Sequence, residues 1–236
     1  MTRLVLHHAQ GCALSQAVRM ALAEKGLERE LHTVGLATFP QMQPGFLALN
    51  PSGQAPVLEA DKLVLTEAFL ILCWIDEQFP APSLGGADPA ERYRILEIGK
   101  LVEHAIAPNL AVLEWAAAPG ARPPPAALAR LPRERRAWWD KALAGFSVAD
   151  ITAADVGLAR ALDDCEQRLE RHPWLAGADF TIADILLFPL VARIEEARLG
   201  PALRAWRGHV AARPAASVVG TEEPTVTLGP ERPRWG

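Results

Sequence analysis

The chain is poor in the features that would make it a secreted, membrane or nucleic-acid-binding protein. It has only three cysteines, Cys12, Cys73 and Cys165, in 236 residues. Three cysteines do not make a disulfide framework, so stability must come from burial, as expected in a reducing compartment. No charge sign dominates: 24 Lys and Arg stand against 28 Asp and Glu, a formal net charge of -4. A broad basic face for nucleic acid is therefore not expected. The longest apolar runs, such as 185–192, are far too short to cross a bilayer, and the first residues lack the basic-then-apolar order of a signal peptide. There is one tyrosine, Tyr93, and aromatics make up only 6%. What remains is ordinary globular material, 50% hydrophobic and 22% charged. These features predict a soluble, cytoplasmic protein that needs no metal.

The two halves carry different periodicities. Leu4 to Leu6 is a short apolar run. After Cys12 the period changes: Leu14, Ala17, Val18, Ala21 and Leu22 fall on one helix face, and Gly26 stops the helix. Glu30 to Leu36 offers a second strand. A strand, a helix and a strand within so few residues predict a right-handed unit with parallel strands. A Pro/Gly-rich connection follows, then two apolar runs, 56–58 and 63–65, joined through Asp61 and Lys62, which predicts a hairpin. A helix starts near Thr66. This order is that of a thioredoxin-like domain, assigned to residues 1–79. Residues 80–88 read as a linker. Helices are expected at 89–117, 132–145, 153–171, 181–196 and 200–212, so residues 89–212 form an all-helical domain. The prolines within 119–131 predict a break, and 213–236 an extended tail. The fold class is α/β plus all-α.

Four local constellations stand out. Cys12 sits where the first strand gives way to the first helix, and no acid precedes Glu24. Amides at a helix start favour a thiolate, and a small buried apolar cysteine is the structural alternative. Ser15 occupies the place of a second cysteine, so any mixed disulfide on Cys12 needs an external thiol to resolve it. The second constellation is 50–58, where Pro56 opens a strand at a turn. If Pro56 is cis, Ala55 turns its backbone N–H and C=O toward a peptide-like ligand. The third is Thr66, Glu67 and Ala68 at a helix start. The helix N-terminus suits a carboxylate and Glu67 an ammonium group, as on a γ-glutamyl ligand, but complementing the helix dipole is the simpler role for Glu67. The fourth is Thr181 to Asp184, a hydroxyl and an acid three residues apart before an apolar run. It reads as a structural capping box.

In this order and spacing the motifs resemble the cytosolic glutathione transferases over about residues 3–212, and in particular their cysteine-type, omega-like members. The segment Cys12 to Leu27 is similar to the family's first helix, 50–58 to its cis-proline turn, Thr66-Glu67-Ala68 to its Glu-Ser glutathione motif, and Thr181 to Asp184 to its helical capping box. The resemblance implies glutathione as cosubstrate, bound by Gln54, Ala55, Pro56, Glu67 and Ala68, and a small hydrophobic or aromatic second substrate held against the helical domain. It also implies a homodimer, with no metal, nucleic acid or membrane partner. Ala68 stands where the family usually has Ser, which removes one hydroxyl contact to the glutamyl carboxylate. With Tyr93 in the helical domain, a tyrosine-type mechanism is excluded, leaving Cys12, or Ser15 a turn further on, as the catalytic residue. A cysteine nucleophile implies thiol transfer or reduction of glutathionyl thioethers. Serine-like conjugation or ether cleavage is one alternative, and a non-catalytic glutathione-binding regulatory module another. Trp115, Trp138 and Trp139 are expected to serve packing rather than ligand contact.

Overall fold

The computed structural model describes residues 2–36 and 38–220, together with the backbone of 226–227. The first half follows the expected order. Strand β1 (Leu4–His8) leads into helix α1 (Ala13–Glu24) and returns as β2 (Glu30–Thr33). A short 3-10 turn and one helical turn, α2 (Pro44–Leu47), make the connection. Strands β3 (Val57–Ala60) and β4 (Leu63–Thr66) and helix α3 (Ala68–Gln78) complete the domain. The sheet order is β4-β3-β1-β2. Strand β1 runs parallel to β2, with Leu6 opposite Leu31, and antiparallel to β3, with Leu6 also opposite Leu58. The hairpin turns at Asp61, which adopts a left-handed φ of 53°. This is a thioredoxin-like domain, and a helical domain follows it. A fifth, two-residue strand, β5 (Val226–Thr227), pairs parallel with β2 at the sheet edge.

The helical half departs from expectation at its boundaries. The helix expected over 89–117 is α4 (Pro89–Leu101) and α5 (Ala107–Ala117), joined through a π-helical turn at Val102–Ile106. Apolar periodicity cannot register one inserted residue in a helix that stays continuous. The break at 119–131 holds one helical turn, α6 (Pro125–Leu128). Helix α7 (Arg133–Ala144) comes next, and α8 (Val148–Leu169) begins five residues before its expected start. Its N-cap is Ser147, in a reciprocal box with Asp150. Helix α9 (Ile182–Val191) ends earlier than expected, and α10 (Pro201–Ala211) closes the bundle. Residues 214–218, expected to open an extended tail, instead form a 3-10 turn against α1, with Arg213 paired to Glu24 at 2.7 Å. Most of the remaining tail lies outside the described residues.

One core unites the halves. Helix α1 packs on α3 and on α9, and the apolar cluster runs from Leu4 and Leu6 through Val18, Ile71 and Ile98 to Leu186 and Trp206. Helix α9 is buried along its whole length, so it acts as the axle of the second half. The link between the halves is tied down by Lys25. Its side chain is fully buried and its ammonium donates to Asp76 at 2.5 Å and to the Phe79 carbonyl at 2.7 Å. A second apolar cluster joins Phe39 and Met42 of the first half to Ala127, Leu131 and Trp139 of the second. These two seams set a cleft between the halves.

Candidate functional site

Cys12 is the N-cap of α1, with extended backbone (φ −94°, ψ 115°). Its amide donates to the Ala9 carbonyl at 3.0 Å, which forms the tight turn out of β1. No acid lies in the first turn of the helix. The thiol is half-buried and donates to the Ala55 carbonyl across 3.8 Å. Ser15 is placed differently. It is fully buried, its Oγ accepts from the Ala9 amide at 3.2 Å, and it does not line the cleft. A residue three positions after the N-cap points into the domain when that helix face packs on a sheet. Ser15 thus braces the turn that presents Cys12.

The Ala55–Pro56 bond is cis. The turn before it is held by Asn50, whose Nδ2 donates to the Gln54 carbonyl at 2.7 Å while its Oδ1 accepts from Ser52 N and Oγ at 3.1 and 2.8 Å. Gly53 within it has φ 65°, and a Cβ there would meet Leu131 at 2.7 Å, so both conformation and space call for glycine. Pro56 is buried, whereas Gln54 and Ala55 face the cleft. Glu67 is the N-cap of α3, with φ 66° and no hydrogen bond from its side chain to the helix. Its carboxylate is exposed and Ala68 beneath it is buried. A non-glycine residue held at positive φ stores strain, and such positions gather at ligand-binding turns. Glu67 and Ala68 do not line the cleft containing Cys12.

That cleft has a volume of about 840 Å³. Cys12, Gln54 and Ala55 form part of one wall, and Trp115, Trp138 and Trp139 much of the other. The three indoles meet edge to face, with centroids 5.1 Å apart for Trp138–Trp139 and 5.4 Å for Trp115–Trp139. The sequence-based expectation that these residues serve packing is therefore only half of their role. They pack on one another and also face the cleft.

Four polar residues of the cleft carried no signal in the sequence: Gln41, Glu114, Arg135 and Arg193. Arg193 follows the last residues of α9. Its Nη1 donates to the Gly11 carbonyl at 2.9 Å and its Nε to Glu114 at 2.6 Å. It thereby clamps the peptide unit just before Cys12. The Glu114 hydrogen bond raises the Arg193 pKa, burial opposes this, and the charges of Glu114 and Cys12 add to the rise. The other two thiols are chemically quiet. Burial pushes Cys73 up to about 11 and Cys165 up to about 12. Among the described residues no group of three or more His, Cys, Asp or Glu gathers to hold a metal. No single helix among them is long and apolar enough to cross a membrane.

A thioredoxin-like domain presents a helix-start thiol and the Ala55 carbonyl, before a cis-proline, to a cleft roofed by a helical domain, which defines a two-domain architecture with a candidate site at the seam. Comparison with known proteins narrows it. The family profile described as glutathione S-transferase, N-terminal domain, matches residues 11–78, and that of the C-terminal domain matches residues 125–211. Glutathione S-transferase 3 of Zea mays is 32% identical over 207 residues, 84% of each chain. A maleylacetoacetate isomerase of Pseudomonas aeruginosa is 30% identical over 197 residues, 81% of each chain. Among solved structures, a theta class glutathione S-transferase from Xanthomonas axonopodis pv. citri, with glutathione bound, superposes with a TM-score of 0.73 at 25% identity, covering 94% of this chain and 99% of that one. A beta-etherase, LigF, from Sphingobium sp. strain SYK-6 shares the fold with a TM-score of 0.78 at 24% identity, over 91% and 97%. The chain belongs to the glutathione S-transferase family and is an enzyme of that type.

Proposed function

We propose that this protein is a cysteine-type glutathione transferase that carries out thiol transfer or reduces glutathionyl thioethers of small aromatic compounds. The observation that carries the reading is the half-buried Cys12 thiol at the start of α1, facing the Ala55 carbonyl and opening onto the aromatic cleft. Glutathione is the cosubstrate: its cysteinyl backbone pairs with Ala55 beside Gln54 and Pro56, and its γ-glutamyl end lies at Glu67 and Ala68. The Cys12 thiolate attacks the sulfur of a glutathione adduct. A Cys12–glutathione disulfide forms, the carbon–sulfur or sulfur–sulfur bond breaks, and the leaving fragment takes the electron pair and then a proton. A second glutathione thiolate attacks the glutathionyl sulfur, releasing Cys12 and glutathione disulfide. Arg193, on the Gly11 carbonyl, holds the Cys12 turn against the helical domain during both steps.

Oxidised glutathione is expected to add one glutathionyl group, mapped to Cys12 by peptide mass spectrometry, and reduced glutathione to remove it. Cys12→Ser is expected to lower thiol transfer by on the order of 100-fold or more, because an alcohol forms no mixed disulfide. Full thiol transfer by Cys12→Ser would sink the assignment.

We also infer a cytoplasmic homodimer. Exposed Leu63 and Val64 on β4, Leu70 on α3, and Tyr93 and Leu96 on α4 support a second copy as partner, to be measured by sedimentation.

A further inference from the structure

Three polar atoms in the walls of the aromatic cleft are buried without a hydrogen-bond partner: Gln41 Oε1, Arg135 Nε and Trp139 Nε1. Well over nine in ten buried polar groups in folded proteins are paired, so three in one cavity call for an explanation. Two of them are donors on neighbouring positions. Arg135 and Trp139 are four residues apart on α7, and Trp138 lies three from Arg135, so all three share a helix face. The guanidinium carbon of Arg135 lies 5.8 Å from the Trp138 ring centroid. No carboxylate among the described residues forms an ion pair with Arg135, and only the more distant charge of Glu67 acts on it, against a burial that lowers its pKa. Arg193, across the same cleft, differs because its Nε already pairs with Glu114 and its Nη1 with the Gly11 carbonyl. The cleft therefore combines a wall of indoles with a half-buried cation that forms no ion pair among the described residues.

We propose that Arg135 and the Trp139 indole N–H form an anion subsite, so that the second substrate is an aromatic compound bearing a carboxylate or sulfonate. Its ring lies against the indoles and its anionic group on Arg135. A charge-assisted bond then forms between that group and the guanidinium at the cleft wall, beside the indole N–H of Trp139. Gln41, 5% exposed, leaves an acceptor unpartnered and so takes no part in holding the anion. The subsite rests on the glutathione-transferase reading for the identity of the cleft as the second-substrate site. Glutathione also carries carboxylates, and the test separates the two sources.

The test is a fluorescence titration of the full chain with two probes that differ by one charge: 8-anilinonaphthalene-1-sulfonate and neutral N-phenyl-1-naphthylamine. Glutathione affinity is measured in parallel by calorimetry. R135Q is expected to weaken the sulfonate about tenfold or more while leaving the neutral probe within about twofold. R135K is expected to recover part of the loss, and W139F, which removes the indole N–H, to weaken the sulfonate in the same sense. Glutathione affinity is expected to hold within about twofold, since Arg135 is assigned to the other ligand. The proposal is overturned if R135Q weakens both probes equally, or neither. It is also overturned if R135Q costs glutathione affinity and spares the sulfonate, because the anion received is then glutathione's. Should R135Q fail to fold, W139F and R135K decide between the same outcomes. A wild-type chain that prefers the sulfonate through Arg135 yet binds no glutathione would refute the glutathione reading and leave the anion subsite standing.

Discussion

Replacing Asp184 by alanine probes how the helical domain is held against the thioredoxin-like half. Asp184 is fully buried at the start of α9, the helix on which α1 packs. Its Oδ2 accepts from the Thr181 amide at 2.9 Å and from Thr181 Oγ1 at 3.2 Å. Its Oδ1 accepts from the Leu175 amide at 3.1 Å and from Trp206 Nε1 at 2.8 Å. Loss of a helix cap alone costs about 0.5–2 kcal/mol. The alanine also strands the Leu175 amide and the Trp206 indole in a dry interior, at about 1–3 kcal/mol each. Burial pushes the Asp184 carboxyl up, so the ionised native side chain already carries a desolvation cost that offsets part of this. The net loss is about 3–5 kcal/mol. In a protein of this size about 1 kcal/mol moves Tm by roughly 2–4 °C, so Tm falls by roughly 6–20 °C. Thr181→Ala, which removes only the hydroxyl, serves as the reference at about 1 kcal/mol. Urea unfolding followed by far-ultraviolet circular dichroism measures both, and a cycle with Trp206→Phe isolates the indole bond, with a coupling of about 0.5–3 kcal/mol. The sign of the pH dependence follows from the raised carboxyl. Its contribution is complete below the unfolded carboxyl range and shrinks as pH rises through the folded value, so the gap between wild type and Asp184→Ala narrows with rising pH. If Asp184→Ala costs no more than Thr181→Ala, or if the cycle is additive, Asp184 is a cap and nothing more.

Three further outcomes are expected. Iodoacetamide at pH 8 is expected to label Cys12 before Cys73 and Cys165, because burial holds those thiols up at about 11 and about 12; peptide mapping that finds equal labelling contradicts the burial argument. Glu67→Gln is expected to weaken glutathione binding about tenfold while moving Tm by no more than about 2 °C, since the exposed side chain makes no hydrogen bond to its helix. Unchanged affinity in calorimetry would return Glu67 to a purely dipolar role. His7 is buried beside Glu59 at 2.5 Å, and burial lowers its pKa below 6.5 despite that partner. Its stabilisation is therefore present above the unfolded value and lost as pH falls through the folded one, so urea midpoints fall between pH 7 and 5, and His7→Phe flattens that slope.

Local signals made much of this protein legible in one dimension. The switch from strand to helix at Cys12, the hairpin residues Asp61 and Lys62, the proline at 56 and the box from Thr181 to Asp184 each depend on neighbours a few residues away, so their spacing is their geometry. The same holds for the order of elements that identifies the thioredoxin-like half. The π-helical turn at Val102–Ile106 and the early start of α8 escaped, because one inserted residue or a cap ahead of the apolar face barely alters a periodic pattern. The cleft is another matter. Arg193 meets the Gly11 carbonyl across 182 positions of sequence, and Gln41 shares a cavity with Arg135 and Trp139. No spacing rule reaches that far; those meetings exist only once α9 packs on α1 and α7 closes over the 39–47 segment. Tertiary packing likewise buried Ser15, left Cys12 half-buried at the cleft and gave Asp184 its partners at Leu175 and Trp206. The chain's own order therefore determined which chemistry stands at the head of α1, and only the packing of one half on the other decided which charges and rings face it.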